Sequence, residues 1–178
     1  YYAAGGVNYI TPATPVSFTA VDPVASEVSV GVARIETAVD GGQWQTYTQP
    51  LKFAEGRHII VYRAIDNVGN TEAGKTLSVQ SDATPPATAL AITGPRYDAD
   101  GLIYITGDSG IVLTSADPIS NETASGVLLT KYRIDDGPWQ VYSGSITITT
   151  EGRHTLEYYS LDRVLNTEVL KTAALFVD

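Results

Sequence analysis

Apolar and polar residues alternate with a period of two along much of the chain, which is the pattern of β-strands that bury one face. Residues 58–65 and 154–161 show it most clearly. In both stretches one face carries a histidine, an aliphatic residue, a tyrosine and a small residue, whereas the other face differs in charge between the two. We therefore expect the first face to lie in the core. Its members are His58, Ile60, Tyr62 and Ala64 in the first stretch, and His154, Leu156, Tyr158 and Ser160 in the second.

These stretches belong to a tandem repeat that fills the chain. Trp44 corresponds to Trp139, and one residue is inserted in the second copy between this tryptophan and the histidine that follows. A module of roughly 90 residues is a common size for a small β-sandwich. The sequence therefore predicts two domains, residues 1–82 and 83–178, with residues 83–86 as a linker that two prolines stiffen.

Two further strands are predicted near the start of each copy. Residues 7–11 and 102–106 are β-branched and aromatic runs that follow a glycine. In the next strand of the first copy, apolar residues alternate with polar ones, and we expect Val16, Phe18 and Ala20 to face the core. In the second copy we expect the matching inward positions to be Val112, Thr114 and Ala116.

The middle of each copy predicts a hairpin. Strands at 34–40 and 129–135 end in Asp40-Gly41-Gly42 and in Asp136-Gly137, and such Asp-Gly steps favour tight hairpin turns. The complete pattern is seven or eight short strands per copy without a helix, which is typical of a Greek-key β-sandwich. We therefore expect an all-β chain of two tandem sandwiches.

The first copy lacks a counterpart of one segment of the second. Residues 83–95, which contain TPPATALAIT, match nothing before residue 1. A sandwich without its first strand exposes an unpaired edge and an apolar slot. Two explanations stay open: the chain is cut from a longer array, or a neighbouring subunit donates the strand, in which case TALAIT shows what the donor would look like.

Several motifs carry a resemblance to a known group. TPP…T, D…SGV, YRIDDGPW, EGRHTLEYYSLD and RAIDNVGN resemble bacterial immunoglobulin-like and fibronectin-III-like repeats of secreted and surface proteins, and the likeness covers both copies. Leu165 stands where the turn usually has glycine, and Val30-Gly31 where Ser-Gly is usual. The resemblance implies immunoglobulin-like sandwiches and an extracellular or cell-surface location. It is weak for function, because such modules occur in adhesins, stalks and fibres.

Composition narrows the classes of partner and activity. A net charge of −9 argues against nucleic acid, which is bound through clustered Lys and Arg, and the apolar runs are too short for membrane insertion. The chain has no cysteine, and its two histidines, His58 and His154, occupy the same strand position in both copies. That placement is typical of a hydrogen-bonded structural residue, so we expect no enzyme activity and no catalytic residue.

Oxygen-bearing side chains gather in the loops predicted at one end of the second copy. Calcium binds six to eight oxygen ligands, and the predicted set is Asp82, Asp117, Glu122, Asp162 and Asn166. The alternative is that Asp and Asn in turns bond their own backbone amides, without a structural calcium or any other cofactor. The corresponding residues of the first copy are Asp22, Glu27, Asp66 and Asn70.

Aromatic residues beside the hairpins predict a second kind of site. Trp139 with Tyr142, and Trp44 with Tyr47, would form a platform that stacks on sugar rings of glycans. The alternative is that each tryptophan packs over the hairpin and the strand edge. Repetition of such a platform would suit a multivalent binder.

The function that we expect is structural. Folded units joined by a short Pro-rich linker hold a fixed spacing, so the sequence predicts a stalk, a spacer or a filament subunit of a bacterial surface protein. Its partners would be neighbouring repeats or subunits of the same protein. The alternative function is a carbohydrate-binding or adhesin accessory module.

Overall fold

A computed structural model describes residues 1–24 and 28–178, so the predicted acidic residue Glu27 lies outside the described residues. The structure separates into two compact units. The first comprises Tyr1–Ala83 together with Ile119–Thr123, and the second comprises Thr84–Pro118 together with Ala124–Asp178. All regular elements of the described residues are β-strands. None of these residues belongs to a helix with the length and apolar character needed to cross a membrane.

The first unit is built on a six-stranded sheet in the order β1-β2-β6-β5-β3-β4. β2 and β6 pair in parallel, and the other neighbours pair antiparallel. Opposite the sheet, Val16 bridges Leu51 as an isolated pair. The strands are β1 Tyr2–Ala4, β2 Val7–Ile10, β3 Val32–Val39, β4 Gln45–Thr46, β5 Gly56–Asp66 and β6 Lys75–Ser81.

The second unit repeats this sheet and adds a second one. Its six-stranded sheet has the order β12-β11-β13-β14-β9-β8, and β7 and β10 form a separate antiparallel pair. β9 and β14 pair in parallel, as β2 and β6 do. The strands are β7 Ala87–Thr93, β8 Arg96–Ala99, β9 Leu102–Ile105, β10 Gly110–Ala116, β11 Val127–Ile134, β12 Gln140–Val141, β13 Gly152–Asp162 and β14 Lys171–Val177.

The predicted fold class is confirmed. The chain is all-β, and the second unit is an immunoglobulin-like sandwich whose apolar core lies between the β7–β10 pair and the six-stranded sheet. The first unit has the same large sheet. Within residues 1–24 and 28–178, none of its strands occupies the place that β7 has in the second unit. The first unit thus lacks its N-terminal strand within this chain.

The predicted core face is confirmed in β13 and, at Ile60, in β5, where His58, Tyr62 and Ala64 are half-buried. Ile60 and Leu156 are fully buried, and Tyr158 is 8% exposed. These residues pack in the two core clusters, which contain Ile10, Phe53, Ile60 and Val79 in the first unit and Ile105, Ile111, Leu113, Ile146, Ile148, Leu156, Tyr158, Leu175 and Val177 in the second.

One prediction of inward positions was wrong. In β10 the core residues are Ile111 and Leu113, whereas Val112 is only partly buried and Thr114 and Ala116 are exposed. The residue inserted in the second copy comes after this strand, so Ile111 and Leu113 are the true counterparts of Val16 and Phe18. A shift of one residue exchanges the two faces of a strand. In the first unit Val16, Phe18 and Ala20 do point inward, as predicted.

The hairpin turn of the second unit lies one residue earlier than predicted. Asp135 and Asp136 have φ of 49° and 56°, matching Asp40 and Gly41 at 52° and 73°. Positive φ at both central residues is the signature of a type I′ turn, whose twist suits a hairpin. Gly137 follows the turn, where a Cβ would lie 2.9 Å from the carbonyl oxygen of Ile134. Glycine is needed there because the backbone approaches so closely.

Candidate functional site

The second unit shows how the first strand of this sandwich is held. β7 pairs with β10 in a register that places Thr88 opposite Ser115, and Ile92 opposite Ile111. Alternate residues of β7 point inward. Thr88 is buried there, and Leu90 and Ile92 pack on the apolar core.

A charged pair at the start of β14 binds the main chain of β7. The backbone N–H of Thr88 donates to Glu168 Oε1 over 2.7 Å, and the Thr88 hydroxyl donates to Glu168 Oε2 over 2.6 Å. On the other side of the same residue, Lys171 Nζ donates to the Thr88 carbonyl oxygen over 2.6 Å. We call Glu168 and Lys171 the clamp of the second unit. The clamp therefore binds both the backbone N–H and the backbone C=O of Thr88.

The Glu168 carboxylate stays ionised although it is only 7% exposed. Burial raises its pKa, but the hydrogen bonds from Lys171 and Thr88 outweigh burial and hold the pKa below its usual value. The backbone N–H of Ser160 adds another donor to Glu168 Oε2. A buried carboxylate with this many donors is strongly tied to β7.

Hydroxyl groups complete the surroundings of Thr88. The Thr88 Oγ1 lies 2.6 Å from Ser160 Oγ. Ser160 Oγ lies 2.8 Å from Thr130 Oγ1, and Thr130 Oγ1 lies 2.5 Å from Ser115 Oγ. The first inward position of β7 is therefore polar. A threonine fits it because its hydroxyl joins the chain of hydrogen bonds.

The same place is an open cleft in the first unit. It has a volume of about 570 Å³ and contains the residues that correspond to the clamp, Glu72 and Lys75. Its other lining residues are Thr19, Ala20, Val21, Asp22, Pro23, Val32, Ile35, Tyr62, Arg63, Ala64, Ile65, Asp66, Asn70 and Thr71.

In the first unit Glu72 and Lys75 form the same ion pair, which we call the clamp of the first unit. No strand of the described residues occupies the place beside it that β7 has in the second unit. Glu72 pairs with Lys75, and its Oε2 accepts the backbone N–H of Ala64 over 3.3 Å. The hydrogen bond from Lys75 holds the pKa of Glu72 below its usual value, so the pair is charged. The carboxylate side chain is 37% exposed, against 7% for Glu168. Glu168 is less exposed than Glu72 because β7 covers it.

A segment with one isolated bridge, between Val16 and Leu51, borders the cleft, and residues 17–21 belong to no strand of the structure. The backbone N–H of Val16 donates to the Leu51 carbonyl oxygen, and that of Phe18 donates to the Tyr47 hydroxyl. Because N–H groups of successive strand residues point to opposite sides, those of Ser17 and Thr19 point away from Leu51, to the side where β10 holds β7. No strand of residues 1–24 and 28–178 pairs with this side.

A second opening of the first unit lies beside Val16. It measures about 340 Å³, and it is lined by Tyr1, Asn8, Ile10, Thr14, Pro15, Val16, Leu77 and Val79. Phe18 lies between the two openings in sequence and belongs to neither lining. Its ring packs on Tyr62 with centroids 4.5 Å apart. The larger phenyl ring, which replaces Leu113 of the second unit, thus fills part of the slot.

The sequence predicted an apolar slot and an unpaired edge in the first unit, but the clamp was missed. Glu and Lys three residues apart recur in both copies, as Glu72 with Lys75 and Glu168 with Lys171, and this recurrence is a signal that the sequence offered.

The predicted calcium residues are divided between the units. Asp82 and Glu122 are grouped with the first unit, and Asp117, Asp162 and Asn166 with the second. Glu122 is exposed, in a tight turn with φ of 62°, and the backbone N–H of Asp82 donates to the Ile10 carbonyl oxygen.

Within the second unit the structure brings Asp117 and Asp162 together, with carboxylate oxygens within 4.8 Å of each other. Asp162 Oδ1 accepts the backbone N–H groups of Val164 and Asn166, and its Oδ2 accepts the Asn166 side-chain amide over 2.7 Å. Asp117 Oδ2 accepts the Gly126 N–H over 2.6 Å. These are the turn bonds of the alternative interpretation, and they leave calcium binding a prediction.

The loops of the first unit use the same bonds. Asp66 Oδ1 accepts the N–H groups of Val68 and Asn70, and Asp22 Oδ2 accepts those of Val30 and Gly31. Equivalent aspartates therefore fix the same loops in both units.

The aromatic residues of the predicted glycan platforms lie in different surroundings. Trp44 and Trp139 are each 38% exposed, and Arg63 and Arg133 lie over their rings, with the guanidinium carbon 4.1 Å and 4.9 Å from the ring centroid. The tyrosines instead face the interior: Tyr47 contacts Phe18 and Tyr142 contacts Tyr132, both edge to face. Each tryptophan is thus partly exposed, whereas the tyrosine predicted to share its platform packs against another aromatic ring.

Both histidines are held by hydrogen bonds within their own units. His154 Nδ1 bonds Asp135, and its Nε2 lies 2.8 Å from the Thr150 carbonyl oxygen. His58 makes the equivalent bonds to Asp40 and Ala54. The Nδ1 bonds join the hairpin turn to the long strand, and the Nε2 bonds join that strand to the residues just before it, so both histidines have the structural role that the repeated position predicted.

Comparison with known proteins gives few matches. No protein-family model matches the chain, and no curated protein matches it. Among solved structures, the chain is similar to fibronectin(III)-like modules of CbhA from Clostridium thermocellum, with 11% identity and a TM-score of 0.41. The similarity covers 96% of this chain and 89% of that one.

Proposed function

We propose that the chain is a non-catalytic structural array, which serves as a spacer or as a fibre subunit of an extracellular bacterial surface protein. The observation that carries the proposal is the duplicated sandwich in which one unit is closed by β7 and the other keeps an open strand position next to a formed clamp. An extracellular location comes from the resemblance of the repeats to surface modules.

Two features support a mechanical role. The charged and hydroxyl groups of each unit are used to hold its own loops and strands, as Glu168 holds β7 and His154 holds the hairpin turn. An open edge of unpaired backbone groups is a template for another strand, and proteins normally cover such an edge. Addition of a strand from a neighbouring subunit would cover it and join subunits at the same time.

Electron microscopy of the native material at near-neutral pH tests the proposal. Ordered filaments are expected for a fibre subunit, and beaded stalks attached to a larger assembly are expected for a spacer. Isolated particles that are attached to nothing would contradict both roles.

The alternative function is carbohydrate binding, and the exposed part of Trp139 is the observation that favours it. Retention of the chain on insoluble polysaccharide, and its loss in Trp139→Ala, would support that alternative. Because Arg133 lies over the ring, Arg133→Ala should strengthen retention if the ring stacks on sugar.

A further inference from the structure

We propose that the cleft of the first unit binds an extended segment of another polypeptide, which adds as an antiparallel strand beside residues 16–21. The segment carries a branched apolar residue, a small residue and a second branched apolar residue at three successive inward positions. The inference rests on the proposed structural role and names the partner of its open strand position.

The main-chain contacts of such a segment follow from the second unit. There the clamp binds the N–H and the C=O of one residue of β7. In the first unit Glu72 and Lys75 hold the same positions at the start of β6, and the backbone N–H of Glu72 bonds the Ala64 carbonyl oxygen over 2.9 Å, as that of Glu168 bonds Ser160. A negative group that faces an N–H and a positive group that faces a C=O are complementary to an added strand in this register.

The strand edge offers the remaining main-chain partners. Ser17 and Thr19 direct backbone groups to the open side, as Val112 and Thr114 do toward β7. The register of the second unit places the first inward residue opposite Ala20, the second opposite Phe18 and the third opposite Val16. Main-chain bonds to such an edge give affinity, and pockets for alternate side chains give specificity.

The first inward position has changed from polar to apolar. The hydroxyl residues Ser160, Thr130 and Ser115 of the second unit correspond to Ala64, Ile35 and Ala20 of the first. Those three residues line the cleft. A threonine would keep only its bond to Glu72, whereas a valine of the same shape buries both methyl groups against apolar neighbours. We therefore assign a branched apolar residue to this position.

The second and third positions follow from Phe18 and from the smaller opening. Phe18 corresponds to Leu113, which lies opposite Leu90 in the second unit, and its larger ring leaves less room for the side chain that would lie opposite it. The second inward residue is therefore small, such as alanine. The third enters the opening of about 340 Å³ beside Val16 and Val79, where Ile92 packs in the second unit, and a branched residue fits it.

These requirements separate the segment from β7 itself. β7 carries threonine and leucine at the first two inward positions, and it is paired along its whole length with β10. Exchange of β7 between copies would open the core of the second unit and would place Leu90 against Phe18. The structure thus favours a segment whose sequence differs from that of β7.

Disulfide trapping tests the proposed register on the whole chain, which contains no cysteine of its own. The probe is the peptide Pro-Pro-Ala-Val-Ala-Ala-Ala-Cys-Thr, with cysteine at the third inward position. Val16→Cys should be cross-linked, because directly opposed residues of an antiparallel pair lie about 4.5–5.5 Å apart between Cα atoms, within the range of a disulfide. Ser17→Cys is the matched control. It lies on the same edge but points to the other face, so it should react much less. Equal reaction of both variants, or of neither, would overturn the proposal.

Affinity measurements test the clamp and the side-chain pattern. The peptide Pro-Pro-Ala-Val-Ala-Ala-Ala-Ile-Thr should bind the chain. Glu72→Gln should weaken binding by about tenfold, since the neutral amide oxygen is a weaker acceptor for the peptide N–H than the carboxylate. Asp98→Asn, which makes the same change of charge at an exposed site of the second unit, should leave binding unchanged. The peptide with the β7 sequence, Pro-Pro-Ala-Thr-Ala-Leu-Ala-Ile-Thr, should bind at least tenfold more weakly.

Three outcomes contradict the proposal: no binding of the first peptide, tighter binding of the β7 sequence, or an equal loss in Glu72→Gln and Asp98→Asn. Tighter binding of the β7 sequence would point to exchange of β7 between copies. The peptide experiments use the purified chain alone, whereas the structural role is tested by microscopy of native material. Failure of the peptide experiments therefore does not refute the structural role, and failure of the microscopy does not refute binding of the peptide.

Discussion

Replacement of Glu168 by alanine tests how much the clamp contributes to the closed sandwich. The carboxylate accepts the N–H and hydroxyl of Thr88, the N–H of Ser160 and a bond from Lys171. Thr88 and Ser160 are buried, at 3% and 0% exposure, so water cannot reach the groups that Glu168→Ala leaves behind.

The expected loss follows from those groups. A buried N–H without a partner costs about 1–3 kcal/mol, and here two backbone donors are orphaned. The Thr88 hydroxyl can turn to Ser160, and Lys171 is partly exposed, so neither adds much. We expect Glu168→Ala to lower the free energy of unfolding of the second unit by about 3–5 kcal/mol, which is the range for breaking a buried ion pair. That is a large part of the stability of a small domain.

The two tryptophans make the assay specific to one unit. In Trp44→Phe the remaining Trp139 reports unfolding of the second unit in urea, and in Trp139→Phe the remaining Trp44 reports the first. Glu72→Ala is the matched control, and it should lose much less, because Glu72 faces solvent and holds no strand of the described residues. A loss under about 1 kcal/mol for Glu168→Ala, or equal losses in both units, would refute the account of the clamp.

Three further measurements check other parts of the structure. Tyr158→Ala should destabilise the second unit by about 3–5 kcal/mol, as for large core aromatics, and an effect well under 1 kcal/mol would show that the inward face of β13 is misassigned. The hydrogen bond from His154 to the Asp135 carboxylate raises the pKa of His154 above 6.5, so the stability that this pair gives is complete below that pH and is lost as pH rises through the folded pKa. Urea midpoints should therefore fall on the alkaline side of 6.5 in the parent chain and stay flatter in His154→Gln. If the predicted calcium site forms, added calcium raises the melting temperature and Asp117→Asn abolishes the rise; no shift with calcium would contradict that site.

The long strands could be predicted because apolar residues alternate along them. β13 buries every second residue from Leu156 to Asp162, whereas in β5 Ile60 is buried and Tyr62 and Ala64 are half-buried beside the cleft. The short hairpins β1–β2 and β8–β9 were only half predicted. β1 and β8 are mostly exposed and show no alternation, although Gly5-Gly6 and Asp100-Gly101, all with positive φ, are the turn signals that would have identified them.

The clamp was harder to predict for a different reason. Glu168 lies where a loop meets β14, and a single carboxylate at such a place has no periodic signature. Its partner Thr88 is 80 residues earlier in the chain, so its role appears only when the fold brings both together. Likewise Trp139 and Tyr142, which flank the two-residue strand β12, lie in different surroundings, and the spacing of the two residues in the sequence does not show this.

Comparison of the two units distinguishes the contacts that bind the main chain of a strand from the pockets that select its side chains. An exposed ion pair contributes little to stability by itself. The pair of Glu72 and Lys75 therefore adds little to the stability of the first unit while no strand covers it. The same pair in the second unit makes three of the bonds that fix β7. The hydroxyl residues around it are replaced by Ala64 and Ile35, which removes the partners of a threonine but none of the partners of the main chain. A site that keeps its main-chain contacts and changes its side-chain pockets is suited to a strand whose sequence differs from β7.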